Sequence, residues 1–197
     1  EKQNYILRQD MPNFEQLKET LAVNASNADF VFLDHMTDGQ ATTCFEGLSG
    51  INNNEPVTIA ACDNGMTYDS LTFQSLMEVE DIDIIIWGAR GYPGAIRSPK
   101  MYGWIDVDNE NVINNISVKT PLSDPSKDPI VVGTFTFKKL EYFIKSYHSM
   151  KIRGAKVNEE YYVDTLINDA INLGLRCVLF EIDSYICWGT PNDIRTF

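Results

Sequence analysis

Short apolar runs alternate with amphipathic stretches through the first half of the chain. Tyr5-Ile6-Leu7, Phe30-Val31-Phe32-Leu33, residues 57–61 and Ile84-Ile85-Ile86-Trp87 read as strands. Between them, residues 14–23 set Phe14, Leu17 and Leu21 on one helical face, and residues 39–48 and 68–79 also suit helices. This alternation predicts an α/β fold with a mostly parallel sheet flanked by helices.

The texture changes after Arg90. Gly91, Pro93, Gly94 and Pro99 predict a loop, and residues 102–107, 112–119 and 130–137 predict strands. The turns at Asn109-Glu110-Asn111 and Ser123-Asp124-Pro125 are polar and short enough to join antiparallel neighbours, so an embedded β-meander is expected. Helices over 138–150 and 159–173 follow, with Gly174 as the stop of the second, and 176–182 closes the pattern as a strand. No internal repeat or low-complexity tract breaks the chain, and 197 residues with 44% hydrophobic content suit a single domain over 1–197.

Charge narrows the partners. Asp and Glu number 28 against 16 Lys and Arg, a net charge of −12, and no basic run interrupts the excess. Nucleic acid and anionic membranes are therefore not expected as partners, and an anionic substrate needs locally placed cations or a bound metal. The apolar runs are too short to cross a bilayer, and no basic segment followed by an apolar stretch opens the chain, which predicts a soluble protein. Cys44, Cys62, Cys177 and Cys187 have neither zinc-ligand spacing nor the density of a disulfide scaffold, so reduced thiols and a cytoplasmic location are expected. The chain lacks an initiator methionine and enters a strand almost at once, as a chain cut from a longer one does.

Ligands in open α/β sheets bind beyond the carboxyl ends of the strands, and three post-strand segments carry suitable chemistry. Asp63-Asn64-Gly65 offers a carboxylate for a divalent cation and a glycine that lets a phosphate approach the backbone; it is equally a good turn sequence. Asp38-Gly39-Gln40-Ala41-Thr42 offers small residues against which a flat base could lie and a Gln40 amide for its edge; it also reads as a helix start capped by Asp38. Residues 185–193 contain Gly189-Thr190-Pro191, a strand-to-helix junction. Neither His35 nor His148 has surroundings that make a metal or nucleophile set.

In that order, with the strands between them, these segments resemble the sugar-nucleotidyltransferase family, which joins a nucleoside triphosphate to a sugar 1-phosphate and releases pyrophosphate. The resemblance runs from about Tyr5 to the end. Tyr102-Gly103-Trp104 looks like the family's Tyr-Gly strand, Lys119 with Pro121 like its lysine-proline element, Val132-Gly133-Thr134-Phe135 like its next glycine-bearing strand, and Glu160-Tyr161-Tyr162 like its Glu-Tyr-Tyr segment.

The resemblance implies a Rossmann-like sheet. It implies Gly39, Gln40, Ala41 and Asp63 against the nucleotide, Gly103, Gly133 and Glu160 against the sugar, Lys119 and Asp63 as catalytic residues, and Mg2+ on Asp63. It leaves the base, the sugar and the oligomeric state open, a homo-oligomer included.

Two features depart from the family pattern. Its glycine-rich loop, with an arginine and a following lysine, would lie before Glu1, so the N-terminal unit is expected to be missing. Cys187 stands where many members carry a second metal-binding aspartate, with Asp183 as a candidate substitute. Two other readings remain. A nucleotide-sugar glycosyltransferase could use Asp81-Ile82-Asp83 or Asp106-Val107-Asp108, although these pairs flank strands where acidic residues are ordinary. A non-catalytic ligand-binding or assembly module could keep the fold without the chemistry.

Overall fold

The computed structural model describes residues 2–25 and 27–196. The chain begins with a parallel β-α-β unit, β1 (Gln3–Arg8), α1 (Phe14–Asn24) and β2 (Ala28–Leu33), in which Tyr5 lies opposite Phe30. Phe14 reaches across from α1 to meet Phe32 edge-on, as the predicted helical face requires. Next come α2 (Gln40–Gly47), β3 (Val57–Ala60), β4 (Asn64–Thr67), α3 (Ser70–Glu78) and β5 (Ile84–Ala89). A short helix, α4 (Pro93–Arg97), leads to β6 (Gly103–Val107), β7 (Ile113–Val118) and β8 (Ile130–Phe137). The remaining elements are α5 (Leu140–Arg153), α6 (Val163–Asn172), β9 (Cys177–Glu181), β10 (Ser184–Cys187) and α7 (Pro191–Thr196).

The main sheet has the strand order β7-β6-β8-β5-β9, with β3 also on β8, and β4 pairs with β10 in a separate ribbon. All six residues of β5 are buried, which explains their unbroken apolar run: a strand covered on both faces has no solvent side to alternate toward. One layer, with Phe143, Tyr147, Leu166 and Ile167, brings α5 and α6 onto one face of the sheet. On the other face Phe73 of α3 packs with Trp87 and Phe180, whose rings meet edge-on at 4.9 Å. Among the described residues no helix is long and apolar enough to cross a membrane.

The sheet corrects several expectations. It is mixed rather than mostly parallel: within it only β5 and β9 run parallel, while β8 is antiparallel to β5, β3 and β6. The reason is the place of β8, whose buried faces suit the middle of the sheet and which enters between β6 and β5 running opposite to both. For the same reason strands β6, β7 and β8 do not form a simple meander. The turn after Asp108 makes a hairpin of β6 and β7, whereas the segment through Ser123 and Asp124 carries β8 past β7 to lie beside β6.

The stretch expected to be a loop after Arg90 contains α4, begun by Pro93 with its preset φ, and a 3-10 turn over Pro99–Met101. Residues 64–67 form β4 rather than only a turn. Helix α6 starts at Val163 instead of Glu159, because Asn158 and Glu159 take left-handed φ values of 50° and 65°. Gly174, at φ 82°, stops it as expected.

Candidate functional site

The loop before α2 is fastened to the segment before α6. Tyr161 N–H donates to Asp38 O and Ala41 N–H donates to Tyr161 O, each at 2.9 Å. Gly39 lies so close to this strand-like contact that a Cβ there would be 2.5 Å from Tyr161 N, and its φ of 133° already disfavours any side chain. Gly39 thus serves the approach of Tyr161. Ala41 is fully buried, and its N–H is spent on the same contact. Gln40 is half-buried beside them. Asp38 is not the cap of α2, whose N-cap is Gly39; its carboxylate instead accepts from Thr42 Oγ1 and from Lys151 Nζ, the latter at 2.7 Å.

Glu160, which is exposed, and Tyr162, which is half-buried, rim a recess where Gly103 of β6 meets Asp164. A Cβ on Gly103 would collide with the Asp164 carboxylate and lie 3.4 Å from Val131 Cγ2, so only glycine lets α6 and β6 come this close. Lys119, just past β7 and held at φ 59°, donates from Nζ to Met101 O at 2.6 Å. Its ammonium lies 5.8 Å from the centroid of the Tyr162 ring. Burial pushes the Asp164 carboxyl up to about 6, partly offset by the charge of Lys119. Burial, then the hydrogen bond with Glu160, raises the Tyr162 hydroxyl. The structure therefore brings Gly103, Lys119 and Glu160 around a common pair, Tyr162 and Asp164.

A second group forms where β4 meets β10. The register sets Asn64 opposite Cys187 and Thr67 opposite Ser184. Trp188 N–H donates to Asp63 O at 2.7 Å, which turns the chain so that Gly189 faces Asp63. A Cβ on Gly189 would lie 3.1 Å from Asp63 Oδ2 and 3.4 Å from Cys187 Sγ. The neighbours of Gly189 are thus one carboxylate and one thiol. Asp183, whose N–H bonds Thr67 O, lies at the opposite end of the ribbon from Asp63. Thr190 donates from both N–H and Oγ1 to Asp193, at 3.1 and 2.7 Å, and Asp193 N–H returns a bond to Thr190 Oγ1, starting α7 as the Gly-Thr-Pro sequence predicts.

Strand β8 joins the two groups. Val131 packs by Gly103, Val132 O accepts from Asn64 Nδ2 at 3.0 Å, and Gly133 O accepts from Ala61 N–H at 2.9 Å. Gly133 has a φ of 77°, and a Cβ there would meet Ala61 Cβ at 2.9 Å. Its glycine therefore answers to the Asp63 loop rather than to the Gly103 recess. The aromatic rings of Tyr92, Tyr102 and Tyr185 also gather between the groups, with Tyr92 6.0 Å from Tyr102 and 4.9 Å from Tyr185. Burial, with the nearby Cys187 adding to it, raises the Tyr102 hydroxyl to about 12. Sequence reasoning missed this cluster, although Tyr92 and Tyr102 frame the glycine-proline segment on either side.

The remaining candidates have ordinary partners. Arg176 satisfies Asp81 and Asp83 through its side chain and its N–H, each at 2.8 Å, and Asp108 accepts from the N–H groups of Glu110 and Val112 in the hairpin turn. His35 pairs with Asp34 and Glu46, and His148 packs against Phe45 and Tyr147. All four cysteines are free thiols, Cys44 and Cys177 buried and Cys62 exposed. Among the described residues no group of three or more His, Cys, Asp and Glu side chains is placed to hold a metal by itself.

This mixed α/β fold is similar to that of solved structures described as nucleotidyltransferases. The nucleoside-diphosphate-sugar pyrophosphorylase of Vibrio cholerae RC9 superimposes with a TM-score of 0.76 at 17% identity, covering 98% of this chain and 78% of the other. A Bacillus anthracis protein proposed to be a glucose-1-phosphate thymidylyltransferase, solved with a sucrose, gives 0.72 at 13% identity over 98% and 73% of the two chains. The inositol-1-phosphate CTP transferase of T. maritima gives 0.69 at 12% identity over 95% and 70%. No family model and no curated protein sequence matches the chain.

Proposed function

We propose that the chain forms part of an enzyme that joins a nucleoside triphosphate to a sugar 1-phosphate and releases pyrophosphate, in the cytoplasm. The observation that carries this reading is the convergence of Gly103, Lys119 and Glu160 at one end of β8, with Asp63 a few residues further along the same edge. In the reaction a phosphate oxygen of the sugar 1-phosphate attacks the α-phosphorus in line and pyrophosphate leaves. The protein's task in such a displacement is placement and charge stabilisation.

Lys119 binds and neutralises the sugar phosphate; its charge acts on Asp164, in a chain of net charge −12. Gly103 lets Asp164 lie against β6 beside Lys119, Glu160 accepts from the sugar hydroxyls, and the 39–41 loop braces that segment through Tyr161 while offering Gln40 to the base. Asp63 would hold Mg2+. The residues present supply one hard oxygen and the Cys187 sulfur, a set that fits magnesium only when substrate phosphates complete its coordination, as they commonly do. When bound there, the ion offsets the repulsion between the two phosphorylated substrates.

Cys187 beside Asp63 favours a second reading, a module that binds the same ligands without turnover. Pyrophosphate release with magnesium, across a panel of nucleoside triphosphates and sugar 1-phosphates, separates the two when run beside calorimetric binding. Release supports the transferase; binding without release supports the module, and neither overturns both.

A further inference from the structure

We propose that Asp164 is a specificity-determining residue: its carboxylate accepts a hydrogen bond from a hydroxyl or ammonium group of a phosphorylated sugar whose phosphate sits at Lys119. This rests on the reading of the recess given above and adds to it the residue that selects the sugar end of the substrate.

An aspartate in the first turn of a helix ordinarily faces outward and favours the helix dipole. Asp164 does not. It turns inward over Gly103, so closely that a methyl group on that glycine could not coexist with the carboxylate. Helix α6 makes no use of it as a cap, since the N-cap position is Tyr162 and has no side-chain capping bond. Among the described residues no other side chain hydrogen-bonds the carboxylate, and its own backbone N–H is its one hydrogen-bonding support. The residue as a whole is half-buried rather than sealed in the core.

A carboxylate drawn into a recess with acceptor sites unspent is costly unless something donates to it. The cost is visible in its raised pKa of about 6, which the Lys119 charge only partly corrects. The neighbours define the missing donor. Lys119 supplies a cation at one end, whereas Glu160 and Asp164 supply two carboxylates near the Tyr162 hydroxyl at the other. A ligand that fits brings an anion to the lysine and donors to the carboxylates. A phosphorylated sugar does so with hydroxyls, and an amino-sugar phosphate adds an ammonium.

The test is calorimetric binding of glucose 1-phosphate, glucosamine 1-phosphate and methyl phosphate to the chain and to Asp164→Ala and Asp164→Asn at neutral pH. The readout is the ratio of sugar-phosphate to methyl-phosphate affinity, which a general loss of folding does not alter selectively, and for glucose 1-phosphate, whose ring is neutral, a change in local charge acts on both ligands alike. The wild-type chain is expected to prefer a sugar phosphate by at least about tenfold, the value of one hydrogen bond to a charged group, and Asp164→Ala to abolish the preference. A hydroxyl donor predicts partial retention in Asp164→Asn, whose amide oxygen still accepts. An ammonium donor predicts tighter glucosamine 1-phosphate binding in the wild type and loss of that margin in both variants. A preference that survives Asp164→Ala overturns the role of Asp164 alone, while a wild-type chain with no preference for either sugar phosphate overturns the acceptor-site reading with it.

Discussion

Lys151 fastens Asp38 to Tyr161: its ammonium donates to the Asp38 carboxylate at 2.7 Å and lies 4.2 Å from the centroid of the Tyr161 ring. One cation of α5 therefore supports both partners of the backbone contact that holds the 38–41 loop against the segment before α6. Lys151→Ala is expected to lower stability by about 1 kcal/mol, the scale of a partly exposed ion pair with an added cation–π contact. Lys151→Met should recover part of this by keeping the aliphatic stem on the ring. Urea denaturation of the two variants measures the difference.

Gly103→Ala tests the fit between β6 and α6. The added methyl collides with the Asp164 carboxylate, and the expected loss is roughly 1–3 kcal/mol, typical of overpacking. Adding Asp164→Ala should return a large share of it, because the two positions share one space. Equal losses in the single and double variants would show that the collision is not the cause.

Asp164 also sets a pH dependence. Its carboxyl is raised from 3.8 to about 6 in the fold, so between these values the folded chain holds more protons than the unfolded one. Stability therefore falls as pH rises through that window and levels off above it. With solvent reaching the recess the loss is roughly 1–2 kcal/mol. Asp164→Asn should flatten this part of the urea-stability profile.

Lys119→Ala is expected to reduce kcat/KM for pyrophosphate release by about 10- to 100-fold, the scale of a lost hydrogen bond to a charged phosphate. Lys119→Gly should lose activity equally yet be the more stable of the two, since φ at this position is 59° and glycine adopts it without strain. Steady-state kinetics and thermal unfolding read the two effects separately.

Cys187→Asp would place a second carboxylate beside Asp63, since a Cβ added at Gly189 would lie 3.1 Å from Asp63 Oδ2 and 3.4 Å from the Cys187 thiol. The magnesium concentration for half-maximal activity should fall by about tenfold, as an added oxygen ligand favours a hard cation. An unchanged requirement would place the ion elsewhere.

Much of the architecture was legible because burial wrote it into local patterns. Ile84, Ile85 and Ile86 are fully buried and announce a core strand, and the Phe14 face of α1 packs as its spacing predicts. The ribbon of β4 and β10 was not legible: Asn64-Gly65-Met66-Thr67 has no strand-like alternation, and its pairing depends on Cys187 and its neighbours far along the chain. The place of β8 was hidden too, since a polar turn at Ser123 and Asp124 does not reveal which edge the next strand will find.

Among the candidate site residues, Gly103 and Lys119 stood out through the motifs of the resemblance. Asp164 did not, because an aspartate near a helix start is commonplace until its position over a distant glycine is known.

Val131, Val132 and Gly133 act as a gauge. The three are covalently consecutive, so the separation between the recess and the Asp63 loop is set by one short piece of backbone, the left-handed turn at Gly133 included, rather than by flexible loops. Substitutions at Glu160 or Cys187 are expected to change what either group can hold while the reach between the two stays constant, which would let a fold of this kind exchange cargo without relearning the stride.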